Sequence, residues 1–168
     1  GLWQAHMQAP CLPPPLPASL RSVSLPWRDT WPAPETMGLS DAHDPPQRQR
    51  GGRAPGQQVL HDFLHARAAF YRGGISSPLT APTACSRLSP YLALGCLGMR
   101  EAVQATQQRQ VQLKLQDAQQ AAHVRQGLAA FMSRMHWHCH FIQKLESEPE
   151  LEWRNLHRGY DGLREDDW

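Results

Sequence analysis

The sequence predicts an all-α fold, and three observations carry that expectation. Val124, Leu128, Phe131, Met135, Ile142 and Leu145 recur at steps of three, four and seven residues, which draws one apolar stripe along a helix. A second helical pattern places Val59, Leu60, Phe63, Leu64, Arg67, Phe70 and Tyr71 on one side of residues 56–71. Ser89-Pro90 is a helix-start signal, a capping residue followed by proline at the first helical position. No strand pattern and no internal repeat accompany these segments.

Taken in order, residues 1–55 read as a proline-rich irregular segment, because 11 of the 15 prolines lie there. Trp3, Trp27 and Trp31 are unusual in such a stretch and suggest packing on a neighbour. Residues 56–168 form the second, helical part. Its first helix is expected over 56–71 and ends at Gly73-Gly74. A loop follows over 75–84, where Pro78 and Pro82 forbid regular pairing. The next helix is expected over 90–106, then a polar glutamine-rich loop around 107–120. A long helix is expected over 115–146, ending before Pro149. Gly159 and Gly162 favour a loop over 150–168.

Charge is segregated. Residues 47–145 hold 12 Lys and Arg against 3 Asp and Glu, whereas residues 146–168 hold 3 against 8. A basic middle suits a polyanionic partner, although an ordinary basic surface reads the same way. Cys11, Cys85, Cys96 and Cys139 show neither a CxxC pair nor a tight framework, so reduced thiols in the cytoplasm are expected. No apolar run approaches the roughly 18 residues of a membrane span, and no membrane partner is expected. The N-terminus shows no signal-peptide pattern. The chain begins with Gly, and we expect it to be a piece of a longer protein.

Two segments carry chemistry. In Ser86-Arg87-Leu88-Ser89-Pro90, hydroxyls, a guanidinium and the free N–H groups of a helix start suit a phosphate. The alternative is a simple cap beside a solvated arginine. In the long helix, Arg134, His136, Trp137, His138 and His140 crowd two turns. A large aromatic among cationic and titratable groups suits a flat, negatively charged partner; the alternative is a core tryptophan. His136 and His140 have the i, i+4 spacing of zinc ligands, yet the HExxH glutamate and nearby acidic ligands are lacking, so no metal site is assigned. Cys139 has no third group to orient it as a nucleophile, and no catalytic residue is assigned.

Three stretches in the same order resemble motifs of the DNA photolyase/cryptochrome family. They are Cys85-Ser86-Arg87-Leu88-Ser89-Pro90-Tyr91-Leu92-Ala93-Leu94-Gly95, His136-Trp137-His138-Cys139-His140-Phe141-Ile142-Gln143-Lys144-Leu145-Glu146 and Arg154-Asn155-Leu156-His157-Arg158-Gly159-Tyr160-Asp161-Gly162-Leu163. The resemblance covers roughly Gly52 to Trp168. It implies the first half of a helical FAD-binding domain, incomplete and preceded by a linker, with no α/β antenna domain in this chain.

The resemblance further implies that Tyr71, Cys85, Ser86, Arg87, Leu88 and Ser89 touch FAD. Arg134, Trp137, His138 and Phe141 would form the surface that meets damaged DNA and its flipped pyrimidine dimer. Cys85 stands where many members carry Thr. His138 stands where Arg is frequent, which makes charge there depend on pH. Arg134 stands where some photolyases carry a Glu that bonds the dimer. Light-driven dimer repair is the activity implied, with residues 56–168 alone expected to bind FAD weakly or not at all. A cryptochrome-like photoreceptor that signals through a partner is the alternative. A helical binding module without flavin is a third reading, and the Ser86–Ser89 segment argues against it.

Overall fold

A computed structural model of the chain describes residues 1–12, 32–40, 44–45, 47–119 and 121–163. Among the described residues the regular structure is helical throughout. It comprises α1 (Leu2–Gln8), α2 (Arg53–Asp62), α3 (Ala68–Gly74), α4 (Ala81–Ala84), α5 (Ser89–Ala93), α6 (Met99–Lys114) and α7 (Ala122–Ser147). Short 3-10 turns lie at Pro34–Met37, Pro149–Glu152 and Arg158–Tyr160. Trp27, Trp31, Arg164 and Trp168 lie outside the described residues.

The core forms where α3 crosses α7, with α6 packed beside α7. Phe63 and Phe131 are fully buried and Tyr71 nearly so. Their ring centroids stand 4.7 Å apart for Phe63–Phe131, 5.3 Å for Phe63–Tyr71 and 5.8 Å for Tyr71–Phe131. Each such aromatic pair adds about 0.5–1.5 kcal/mol beyond area burial. Leu128, Val103 and Leu113 close the remaining sides at 0–1 % exposure.

The helix expected over 56–71 is present, but it begins at Arg53 and changes pitch. Residues Phe63–Arg67 form a π-turn, in which N–H groups reach back five residues, before α3 resumes. Beyond Tyr71 the chain kinks at Arg72 (ψ 114°) and Gly73 (φ 95°), where glycine tolerates a backbone that other residues avoid. The expected loop over 75–84 contains one helical turn, α4.

Four further expectations are corrected. The helix predicted over 90–106 is two helices, because Gly95 (φ 68°) turns the chain and Leu97 N–H closes onto Tyr91 O at 3.1 Å. Ser89 lies inside the first turn of α5; Leu88 holds the cap position, and no side chain caps the helix. The glutamine-rich stretch to Lys114 is helix, not loop, with Thr106 and Leu113 buried on its inner side and Glu101 and Lys114 suiting its dipole. The long helix then starts at Ala122, after a turn in which Asp117 accepts from Gln119 N–H at 2.9 Å.

The first residues are not irregular. α1 packs on α6 through Met7, its buried side chain. Gln104 Nε2 donates to Met7 O and Ala9 O, each at 2.8 Å, and Arg100 donates to His6 O (3.1 Å) and Pro10 O (3.2 Å). These donors satisfy carbonyls that a seven-residue helix leaves open at its end. The described residues 44–45 and 47–50 carry no helix, yet they are tied down. Asp44 pairs with Arg48 at 2.6 Å and with Arg50 at 3.1 Å, and Tyr91 Oη donates to Arg50 O at 2.9 Å.

Candidate functional site

The segment 85–89 is shaped by its own backbone and by Arg67. Arg87 has φ 57°, in the left-handed region that a non-glycine residue occupies only under constraint. Leu88 follows in the right-handed region at φ −90°, ψ −13°. A left-handed residue next to a right-handed one turns successive N–H groups to one side and makes a concavity suited to an anion. Main-chain bonding here resumes only with Leu92 N–H on Leu88 O at 3.0 Å. Among the described residues, the N–H groups of Ser86, Arg87, Leu88 and Ser89 have no main-chain acceptor.

Arg67 anchors the other side of this segment. Its Nη1 donates to Cys85 O at 2.5 Å, and its Nη2 donates to Val59 O at 3.0 Å and Ser86 O at 3.4 Å. The guanidinium is a second donor to the Val59 carbonyl, which also accepts from Phe63 N–H, while it grips 85–86. It also lies 5.8 Å from the Phe63 ring centroid. Burial lowers the Arg67 pKa from its ordinary value, and Arg87 adds to that, while Cys85 and Asp62 oppose it. Arg87 itself is held by the strap of residues 47–49: its Nη2 donates to Gln47 O at 3.4 Å, and its carbonyl accepts from Gln49 Nε2 at 2.7 Å.

Leu88 is 1 % exposed, so the residue belongs to the core. Cys85, Ser86 and Arg87 are half-buried and Ser89 is exposed. Tyr71 joins this group from α3. Burial raises the Tyr71 pKa; the Arg134 charge works against that shift and Cys85 works with it. Tyr71, Cys85 and Arg134, distant in sequence, therefore share one neighbourhood.

The second expected set lies on α7. Arg134, Trp137, His138 and Phe141 fall at i, i+3, i+4 and i+7, on one side of the helix. All four are exposed, with Trp137 at 52 % and Phe141 at 60 %. The Trp137 ring lies 5.8 Å from both Phe141 and His140, tilted 33° to the first and at 88° to the second. Trp137 is therefore a surface residue of this chain, not a core one. The burial on α7 ends at Met135, and the apolar stripe continues exposed through Ile142 (46 %) and Leu145 (45 %).

Trp3 of α1 reaches the same helix, with its ring 4.9 Å from that of His136. Together with Trp137, Cys139, His140 and Gln143 they line a recess of about 320 Å³. Neither Arg67 nor Trp3 was assigned to a site from sequence. For Arg67 the available signal was a lone arginine on an apolar helix face; for Trp3 it was a tryptophan in a proline-rich stretch.

In the third motif, Asp161 accepts from Asn155 at 3.0 Å and Arg158 at 3.1 Å, and His157 Nδ1 accepts from Gly159 N–H at 3.1 Å. These bonds fix a surface turn. The four cysteines are free thiols. Among the described residues, no helix is long and apolar enough to cross a membrane.

Fold and site thus define an all-helical chain with a cluster of main-chain donors beside two arginines, and an aromatic–cationic helix face. The sequence is similar to a deoxyribodipyrimidine photo-lyase of Halobacterium salinarum, with 28% identity over 144 residues, which is 85% of this chain and 28% of that protein. The similarity suggests the photolyase family, and the chain spans little more than a quarter of that relative's length. No protein-family model matches the chain, and no solved structure does.

Proposed function

We propose that this chain is a section of a flavin-dependent enzyme that uses light to repair pyrimidine dimers in DNA. The similarity to the Halobacterium salinarum photo-lyase across 85% of the chain carries the reading. Two features of the chain support it: the donor-rich turn at 85–89 and the exposed Trp137 face.

The donor set fits the pyrophosphate of FAD. The N–H groups of Ser86, Arg87 and Ser89 supply directional donors, and the Ser86 and Ser89 hydroxyls add two more. Arg87 supplies a charge-assisted contact. Leu88, buried as a whole residue, supports the turn from the core side. Cys85 contributes by shape, because its carbonyl is committed to Arg67. Tyr71, its pKa raised by burial, offers a hydroxyl donor nearby. FAD, when bound, supplies the light-driven electron transfer; the chain binds and orients it.

On α7, Trp137 is the stacking wall for a base taken out of the duplex, and Phe141 extends that wall. Arg134 and His138 border it and face phosphate. One observation favours the photoreceptor alternative. Arg134 cannot accept a hydrogen bond from a base in the way a carboxylate does.

The test uses DNA with and without a pyrimidine dimer. Trp137→Ala should weaken binding to dimer-containing DNA by about tenfold, from a stacking contribution of about 1–3 kcal/mol per base. Binding to undamaged DNA should change little, because it rests on phosphate contacts and falls steeply with salt. Equal losses on both substrates would remove Trp137 from lesion recognition. Dimers that persist under illumination with the intact flavoprotein would favour the photoreceptor reading.

A further inference from the structure

We propose that Trp3 is a base-binding residue, and that the recess between α1 and α7 holds one unpaired nucleobase of a DNA strand beside Trp137. The inference rests on the reading of α7 as a DNA-binding face, and it adds to that face an element from the other end of the chain.

The recess lies on the flank of α7 away from Arg134 and Phe141. Its walls are Trp3, His136, Trp137 and His140, with Cys139 and Gln143 also contributing. Four aromatic rings around about 320 Å³ make a small space with π-surface on several sides. That volume is at the lower end of ligand sites, of a size for one flat ring system and not for an extended ligand. Gln143 brings an amide that both donates and accepts, the group that reads a base edge.

An independent observation concerns Trp3 itself. Its indole Nε1 is shielded from solvent and has no hydrogen-bond partner among the described residues. An indole N–H is a donor only, and a shielded donor without an acceptor is costly. Shielded so, the N–H does not open on the recess, and Trp3 would meet a base with its ring face. Charge favours the same partner. Residues 47–145 carry 12 Lys and Arg against 3 Asp and Glu.

The position of Trp3 is built, not incidental. α1 is held by Met7 in the core and by Arg100 and Gln104 on the carbonyls of its last turn and the residues beyond. Those contacts lie at the end of α1 away from Trp3. Replacing Trp3 therefore leaves the clamp on α1 in place while removing one wall of the recess.

The experiment is binding of the 168-residue chain to undamaged single-stranded oligothymidylate, read by tryptophan fluorescence quenching at several salt concentrations. Trp3→Leu should weaken binding by about fivefold to a hundredfold, with the salt dependence unchanged because no phosphate contact is lost. Trp3→Phe, which keeps a ring but not the N–H, should recover part of the loss. Phe141→Leu is measured alongside, since Phe141 belongs to the α7 face but not to the recess. Wild-type affinity in Trp3→Leu, with Phe141→Leu weakened, would overturn the recess while leaving the face intact. Failure of the unaltered chain to bind the strand would overturn both. If circular dichroism shows that Trp3→Leu frees α1, the Phe variant decides. Recovery in Trp3→Phe then supports a ring wall, and a loss as large as that of Leu with α1 still docked rejects it.

Discussion

A Cβ atom placed on Gly127 would lie 1.7 Å from the carbonyl oxygen of Ala68. α7 crosses α3 so closely at this point that main chain meets main chain, and the crossing sets the separation of Tyr71 from Phe131. Gly127→Ala should therefore destabilise the chain even though alanine is the better helix former by about 1 kcal/mol. The obstructing atom is backbone, so the helices must move apart, and overpacking of this kind costs about 1–3 kcal/mol or more. Thermal unfolding should show a clearly lower midpoint for Gly127→Ala. An unchanged or raised midpoint would mean that the crossing is not this tight.

Arg67 should prove a structural linchpin of the turn at 85–89. Arg67→Met leaves the carbonyls of Cys85 and Ser86 without their donor and the Val59 carbonyl with only the Phe63 N–H, and hydrogen bonds to a charged group are each worth about 1.5–3 kcal/mol. Amide hydrogen exchange should accelerate at residues 85–89 in this variant. Exchange that is unchanged there would show that the turn holds its shape without the guanidinium.

These two relationships show what was legible in the sequence. The all-α class was, because Leu128, Phe131 and Met135 mark a helical face that is buried as its period requires. The same period placed Ile142 and Leu145 inward, yet both are exposed; periodicity defines an apolar face and says nothing of whether a partner covers it. The glutamines after Thr106 read as loop by polarity, but glutamine is a good helix former and Leu113 completes the inner face. α1 was not legible. Seven residues form no stable helix alone, and the contacts that hold it come from Arg100 and Gln104, more than ninety positions away. The residues 85–89 were recognisable as a segment, whereas the left-handed Arg87 that shapes it was not, since arginine carries no preference for that region.

Arg87 separates backbone from side chain. Arg87→Gly keeps the left-handed turn at lower strain and loses the guanidinium, whereas Arg87→Ala keeps the strain and loses the guanidinium. We expect both variants to retain less flavin in the whole protein, as a charge-assisted phosphate contact is worth about 1.5–3 kcal/mol. Arg87→Gly should be the more stable of the two in thermal unfolding. Full flavin occupancy in both would remove the side chain from the site and leave the main-chain donors as the phosphate contact.

Acid sensitivity should involve Glu101. Burial works to raise its pKa, but hydrogen bonds from Arg53 and Gln57 outweigh it and hold the carboxyl below its ordinary 4.5. Arg53 meets it with two bonds, at 2.9 and 3.0 Å. A pKa depressed in the folded state contributes stability that is complete above the unfolded value and is lost as pH falls through the folded one. Arg53→Ala should thus lower stability at neutral pH and flatten its decline below about pH 4.5. Parallel acid-unfolding curves for the variant and the unaltered chain would contradict the assignment.

The most direct test of the central claim is the flavin content of the whole protein that carries this sequence, purified under dim light and read by its visible absorbance after denaturation. FAD is expected in near-equimolar amount, reduced by Arg87→Ala and unaffected by Phe141→Leu, which alters only the proposed DNA face. A folded protein that retains no flavin and takes none up when titrated with FAD would contradict it.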